Sequence, residues 1–306
     1  MTKHYDMLIL GHISKDENIT PDSRELSIGG AVVYSSVTAK RIGANLLALT
    51  KLNQNDQSAL EIFSKHDVPY IYRNSRQSTS IRNTYFTPDR DKRKCEALGA
   101  ADPFVIADIP DDVEADIYYL GGLMKGEFQE ELIAQLAQRG KIATDAQGFL
   151  RVNENGPMVF KDWDRKREIL PLVTYLKTDA AEAEILTGEK DAEKAARLLH
   201  SWGAQEVMVT SSPGVLVLAE EHIYFFPFTS KNLTGRTGRG DTCFSTYCYW
   251  RMHHSPKASC LLSAALTSLK METPGPFSGE LADVESAIVE RYGLEKETIR
   301  DYTKPY

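Results

Sequence analysis

The chain runs to 306 residues, long enough for one large α/β domain with a sizeable core, and no low-complexity linker divides it. Its 36 basic against 43 acidic residues leave a net charge of −7, which argues against nucleic acid or an anionic membrane as the main partner. Cys95, Cys243, Cys248 and Cys260 form no Cys-x-x-Cys pair and lack histidines at metal spacing; with no signal-like N-terminus and no apolar stretch of membrane length, a cytoplasmic protein without zinc or disulfides is expected.

Short apolar runs of strand type alternate with stretches of helical period, the pattern of a mainly parallel sheet with helices on both faces. Strand 7–11 is followed by residues 12–28, which lack helical period, then by helix 31–42, strand 46–50 and helix 57–66. Residues 70–95 are rich in Ser, Thr, Arg and Tyr and nearly alternate from 80 to 87. Both irregular segments, 12–28 and 70–95, read as β excursions placed to cover a ligand at the carboxyl ends of the strands. Strands 116–120, 141–144, 173–177 and 206–210 then alternate with helices 128–139, 180–186 and 192–202. A hairpin of strands 215–219 and 222–227 follows, and helices 241–252, 257–270 and 281–292 close the chain. The basic clusters at 90–94 and 165–167 read as solvated loops.

Residues 235–242 read Gly-Arg-Thr-Gly-Arg-Gly-Asp-Thr, the glycine spacing of a phosphate-binding P-loop with Asp241 where that loop needs lysine. A carboxylate does not bind phosphate, but beside a turn of N–H donors it can take the proton from a hydroxyl attacking phosphorus. An ordinary glycine turn before a helix explains the same residues. Asp16 lies just beyond the first strand, where it can accept hydrogen bonds from neighbouring hydroxyls or serve as a solvated loop residue. Gly29 and Gly30 open a helix and allow either ligand approach or tight helix packing. Asp179 and Glu182 share one face of a helix start, suited to a hydrated magnesium ion or to an N-cap with its first-turn acid. Asp145 follows a strand directly and can serve substrate, metal or loop structure.

In this order the pieces resemble the ribokinase-like (PfkB) family of carbohydrate kinases. Residues 11–16 resemble its first substrate loop, Gly29-Gly30 through 41–44 its N-terminal signature, 179–188 its Asn-x-x-Glu segment, and 238–241 its Gly-Ala-Gly-Asp anion hole and base. The resemblance implies a ribokinase-like three-layer α/β sandwich over residues 1–306, with a small β lid formed by the excursions near 12–28 and 70–95. It implies phosphorylation of a hydroxyl on a small sugar or polyol, dependent on ATP and Mg2+, and it raises a monovalent cation and a homodimer formed through the lid. By the same carry-over Asp241 is the general base, and the N–H groups of Gly238, Arg239 and Gly240 form the anion hole. Asp16, Gly29 and Gly30 touch the substrate, Glu182 with Asp179 organises magnesium, and Thr210 and Gly214 lie near ATP.

The chain departs from the family at several places. Arg239 replaces the usual alanine, Gly235 stands at an aspartate position, Asp179 at an asparagine, and Tyr34 where many members carry a substrate-binding asparagine. The turn between Thr210 and Gly214 is a residue short. A nucleoside kinase of the same fold and a non-catalytic ligand sensor are the competing readings.

Overall fold

Met7, Leu8, Ile9 and Leu10 are all fully buried, and they alternate between two cores, with Leu8 and Leu10 in one and Met7 and Ile9 in the other. Successive side chains of a strand point to opposite faces, so a run apolar at every position marks a strand covered on both sides. This run is the inner half of β1 (Lys3–Leu10) in a computed structural model that describes residues 2–86 and 93–294.

In chain order β1 is followed by β2 (Ser14–Ile19), β3 (Arg24–Gly29), α1 (Ala31–Arg41), β4 (Leu46–Leu52), α2 (Glu61–Lys65), β5 (Tyr70–Asn74), β6 (Thr79–Tyr85) and β7 (Arg93–Gly99). The middle of the chain forms β8 (Val113–Leu120), α3 (Glu130–Leu136), β9 (Lys141–Asp145), α4 (Gln147–Leu150), β10 (Arg151–Asn153), β11 (Met158–Phe160) and α5 (Lys166–Ile169). The last part forms β12 (Tyr175–Asp179), α6 (Ala180–Thr187), α7 (Ala192–Ser201), β13 (Glu206–Thr210), β14 (Gly214–Ala219), β15 (His222–Pro227), α8 (Arg239–Trp250), α9 (Pro256–Lys270) and α10 (Leu281–Tyr292).

Nine strands form the main sheet in the order β15-β14-β13-β12-β9-β8-β1-β4-β5, parallel from β5 to β13 and antiparallel at the β14–β15 hairpin. Helices α3, α6 and α7 cover one face through Leu132, Ile133, Leu186 and Leu199. Helices α1, α8 and α9 cover the other through Val33, Val37, Phe244, Tyr247 and Cys260, and α10 packs outside α9 through Val284 and Ile288. This is the ribokinase-like three-layer architecture.

A second sheet, β3-β2-β6-β7, stands apart from the main one and carries Asp16 on β2. It draws on both irregular segments, with one difference. Residues 70–74 pair in parallel with β4 as the edge strand of the main sheet, while β6 and β7 alone come from the second segment and extend to Gly99. Residues 87–92, within that segment and the basic cluster at 90–94, lie outside the described residues.

Two helices differ in extent from their sequence signal. The 57–66 stretch divides between a 3-10 segment, Gln54–Leu60, and the short α2, and Asp56 in the first leaves helical geometry (φ −110°) while its carboxylate accepts hydrogen bonds from Lys15 (2.6 Å) and Ser78 (2.6 Å). The 128–139 stretch contracts to α3. The strand at 173–177 shifts to Tyr175–Asp179, which brings Asp179 to its carboxyl end. Among the described residues no helix is long and apolar enough to cross a membrane.

Candidate active site

Helix α8 begins at Gly238, whose φ of +77° is left-handed and strongly favours glycine. A Cβ there would also overlap the Tyr34 ring, which packs directly on the turn. Among the described residues the Gly238 and Gly240 amides donate to no protein acceptor, whereas the Arg239 amide already donates to Arg236 O (3.2 Å). Of the three amides expected to form an anion hole, the Arg239 one is spent on the turn's own closure, and the Gly238 and Gly240 amides are the candidates that remain. They add to the positive end of the helix dipole.

Asp241 occupies the first turn of α8 and is half-buried. Burial pushes its carboxyl up to about 6, the Asp145 charge adds to that, and Lys177, Lys270 and Arg151 pull it back. A carboxylate in that range is ionised at neutral pH yet basic enough to accept a hydroxyl proton.

Beneath this turn runs a buried ionic cluster. The Lys177 ammonium at the end of β12 lies 2.7 Å from Asp145 Oδ2 and 3.9 Å from Glu182 Oε2. Burial works against that ammonium, but Asp145, Glu182, Asp179 and Asp241 outweigh it and hold it protonated. A Cβ on Gly240 would come within 3.0 Å of Lys177 Nζ, so the ammonium abuts the proposed anion hole from the sheet side.

Asp179 and Glu182 form a reciprocal capping box at α6: the Glu182 amide donates to Asp179 Oδ1 and the Asp179 amide to Glu182 Oε2, both at 2.8 Å. The N-cap reading of this pair is thus realised. One oxygen of each carboxylate is taken up by the box, so the pair fits a hydrated magnesium ion shared with phosphate rather than a closed cage. Among the described residues no group of three or more His, Cys, Asp and Glu is arranged to hold a metal ion.

In the second sheet, Asp16 pairs in register with Ser27 of β3, and a Cβ on Gly29 would lie 2.6 Å from Asp16 Oδ2. Gly30 is the N-cap of α1, with a φ of +105°. The Tyr34 phenol is raised by burial and then by the charges of Asp16 and Asp241. It thus lies within reach of both carboxylates, and α1 carries it between the second sheet and Asp241.

The opposite side gathers the expected donor residues. Thr210 ends β13 in register with Asp179, and Gly214 opens β14 against the Phe226 carbonyl, where a Cβ would clash. Gly214 therefore has a packing reason of its own. The Arg239 guanidinium lies 5.7 Å from the Phe228 ring centre, lowered by burial and by Arg236 and supported by Asp179. The residue unexplained in the sequence points toward this side of the site.

Three cations near Asp241 had not been singled out: Lys177, Lys270 and Arg151. Lys177 had a usable signal, a lysine at the carboxyl end of a strand in a parallel sheet, where ligand sites form. Lys270 ends an apolar helix and Arg151 starts a short strand, and neither position is distinctive in sequence.

Comparison with known proteins places the chain in a family and a fold. Residues 5–280 match the model of the pfkB family carbohydrate kinases. A sulfate complex of a pyrophosphate-dependent kinase in the ribokinase family is 35% identical over 91% of this chain and 99% of its own, with a TM-score of 0.85. A pyrophosphate-dependent kinase of the ribokinase family bound to a pyrophosphate analog and myo-inositol is 34% identical over 92% of this chain and 99% of its own, with a TM-score of 0.83. A cytidine kinase of Thermococcus kodakarensis is 27% identical over 243 residues, 77% of this chain and 84% of that protein.

Proposed function

The chain belongs to the pfkB family of carbohydrate kinases, and on that premise we propose that it transfers a phosphoryl group from inorganic pyrophosphate to one hydroxyl of a small cyclic polyol of the inositol kind. The observation that carries the reading is Asp241, a half-buried carboxylate raised to about 6 on the same turn as the Gly238 and Gly240 amides. The acceptor, held between Asp16 and Asp241 beside Tyr34, attacks the nearer phosphorus. As its oxygen bonds to phosphorus, its proton passes to Asp241, the bond to the bridging oxygen breaks, and orthophosphate leaves. The Gly238 and Gly240 amides meet the charge on the transferred group, so positioning and fixed dipoles supply most of the rate.

Magnesium bound with the donor would screen the phosphate charge, and Asp179 and Glu182 are the residues to hold its waters. Arg239 and Arg236 favour a compact polyanion as donor, since pyrophosphate offers no base or ribose to grip and must be held by charge. The two pyrophosphate-dependent relatives, each matched over 99% of its length, support the same choice.

ATP is the second reading for the donor. It is favoured by a cavity of about 300 Å³ beside Lys270, bounded by Leu269, Thr273, Phe277 and Ala287, which has room for a base. The test is turnover with pyrophosphate or ATP against myo-inositol, ribose and cytidine, followed by 31P NMR. Phosphorylated inositol formed from pyrophosphate is the expected result. Turnover only with ATP overturns the donor, and turnover only with cytidine overturns the acceptor. Ligand binding without turnover favours the sensor.

A further inference from the structure

Lys270, the last residue of α9, is buried, and its Nζ donates to the carbonyl oxygens of Gly235 and Thr237. The same helix end holds the turn a second way, since the Gly235 amide donates to Met271 O (2.8 Å). Gly235 sits so close to the Thr273 carbonyl that any Cβ would overlap it, which accounts for glycine at a position where the resemblance leads one to expect aspartate. The chain from 235 to 237 is therefore clamped onto the end of α9 immediately before the proposed anion hole.

The Thr237 carbonyl and the Gly238 N–H belong to one planar peptide group. A cation on that carbonyl draws electrons through the amide, so the N–H on the far side becomes a stronger donor, and it fixes the direction in which that N–H points. Lys270 also lies 5.2 Å from the Tyr34 ring centre, against the residue that packs on Gly238.

We infer that Lys270 is a positioning residue that orients and polarises the anion hole from behind, and that its ammonium makes this turn independent of any added monovalent cation. The second half follows from chemistry, since paired main-chain carbonyls are what a potassium ion binds, and here an ammonium already occupies them. The inference rests on reading residues 238–240 as the anion hole.

The test compares the wild type with Lys270→Met and Lys270→Ala. In protein labelled with 15N-glycine, the Gly238 amide proton should move upfield in Lys270→Met, a readout independent of turnover. The kcat should fall on the order of tenfold or more while the acceptor KM holds. Methylammonium should restore part of the lost kcat in Lys270→Ala, and wild-type turnover should be equal in sodium, potassium and tetramethylammonium buffers. An unmoved Gly238 resonance, an unchanged kcat or potassium activation of the wild type overturns the inference while leaving the proposed reaction standing. A wild type inactive on every donor and acceptor overturns the reaction, and the Gly238 shift then still decides the role of Lys270.

Discussion

Lys177 Nζ lies 2.7 Å from Asp145 Oδ2 and abuts Gly240, so a buried ion pair rooted in β9 and β12 supports the first turn of α8. Parallel strands end at one edge of the sheet, and that edge is where β9, β12 and the α8 terminus converge.

Replacing Lys177 with methionine should cost about 3–5 kcal/mol, because it strands Asp145 and Glu182 as buried charges with no cation between them. It should also raise the Asp241 carboxyl further, since Lys177 is one of the charges pulling it down. Urea unfolding checks the first effect. The second is checked by the acid limb of the rate profile, which should move to higher pH; a limb that stays put would separate Lys177 from Asp241.

Turnover should be bell-shaped in pH. Asp241 must be ionised to act as base, so the rate falls as pH drops through about 6, a value set first by burial and then by Asp145, Lys177, Lys270 and Arg151. Burial lowers Lys270 to about 8 against the opposing pull of Asp241, so its ammonium is present below that value and lost above it. A profile of kcat against pH should decline on both sides, and Lys270→Met should flatten the alkaline limb and, by removing a charge that pulls Asp241 down, move the acid limb to higher pH.

Arg239→Ala should raise the KM for pyrophosphate on the order of tenfold while leaving the acceptor KM near its original value, as removing one charge-assisted contact to a polyanion does. Initial rates at fixed acceptor measure this. Equal effects on both substrates would mean that Arg239 shapes the turn rather than meeting the donor.

Gly238→Ala meets two obstacles at once, a left-handed φ of +77° and the Tyr34 ring. The backbone term alone is worth about 1–2 kcal/mol. The double variant Gly238→Ala, Tyr34→Ala should recover the steric part but not the backbone part, which thermal unfolding of the three variants resolves.

How far the chain could be read in advance depended on whether a residue's role is local. The strands of the main sheet other than β5, and the three C-terminal helices, were legible because apolar period acts over a few residues. The 3-10 stretch at Gln54–Leu60 was not, since the partners of Asp56 within it, Lys15 and Ser78, come from elsewhere in the chain. Nor was the edge strand β5, whose tyrosines and polar residues resemble those of the second sheet until β4 is seen beside it. Lys177 and Lys270 take their roles from Asp145 and from the 235–237 carbonyls, 32 to 35 residues away along the chain. The Asp179–Glu182 box shows the opposite limit: its spacing was plain, but spacing alone left cap and metal ligand open, and the cap is what the backbone makes of it.

The most direct test is the rate of orthophosphate release from pyrophosphate with myo-inositol, in the wild type and in Asp241→Asn, with acceptor binding measured alongside. Loss on the order of a hundredfold or more in kcat with acceptor affinity retained is the predicted result. Turnover that survives the substitution largely unchanged would contradict Asp241 as the base and, with it, the turn at 238–241 as the catalytic centre.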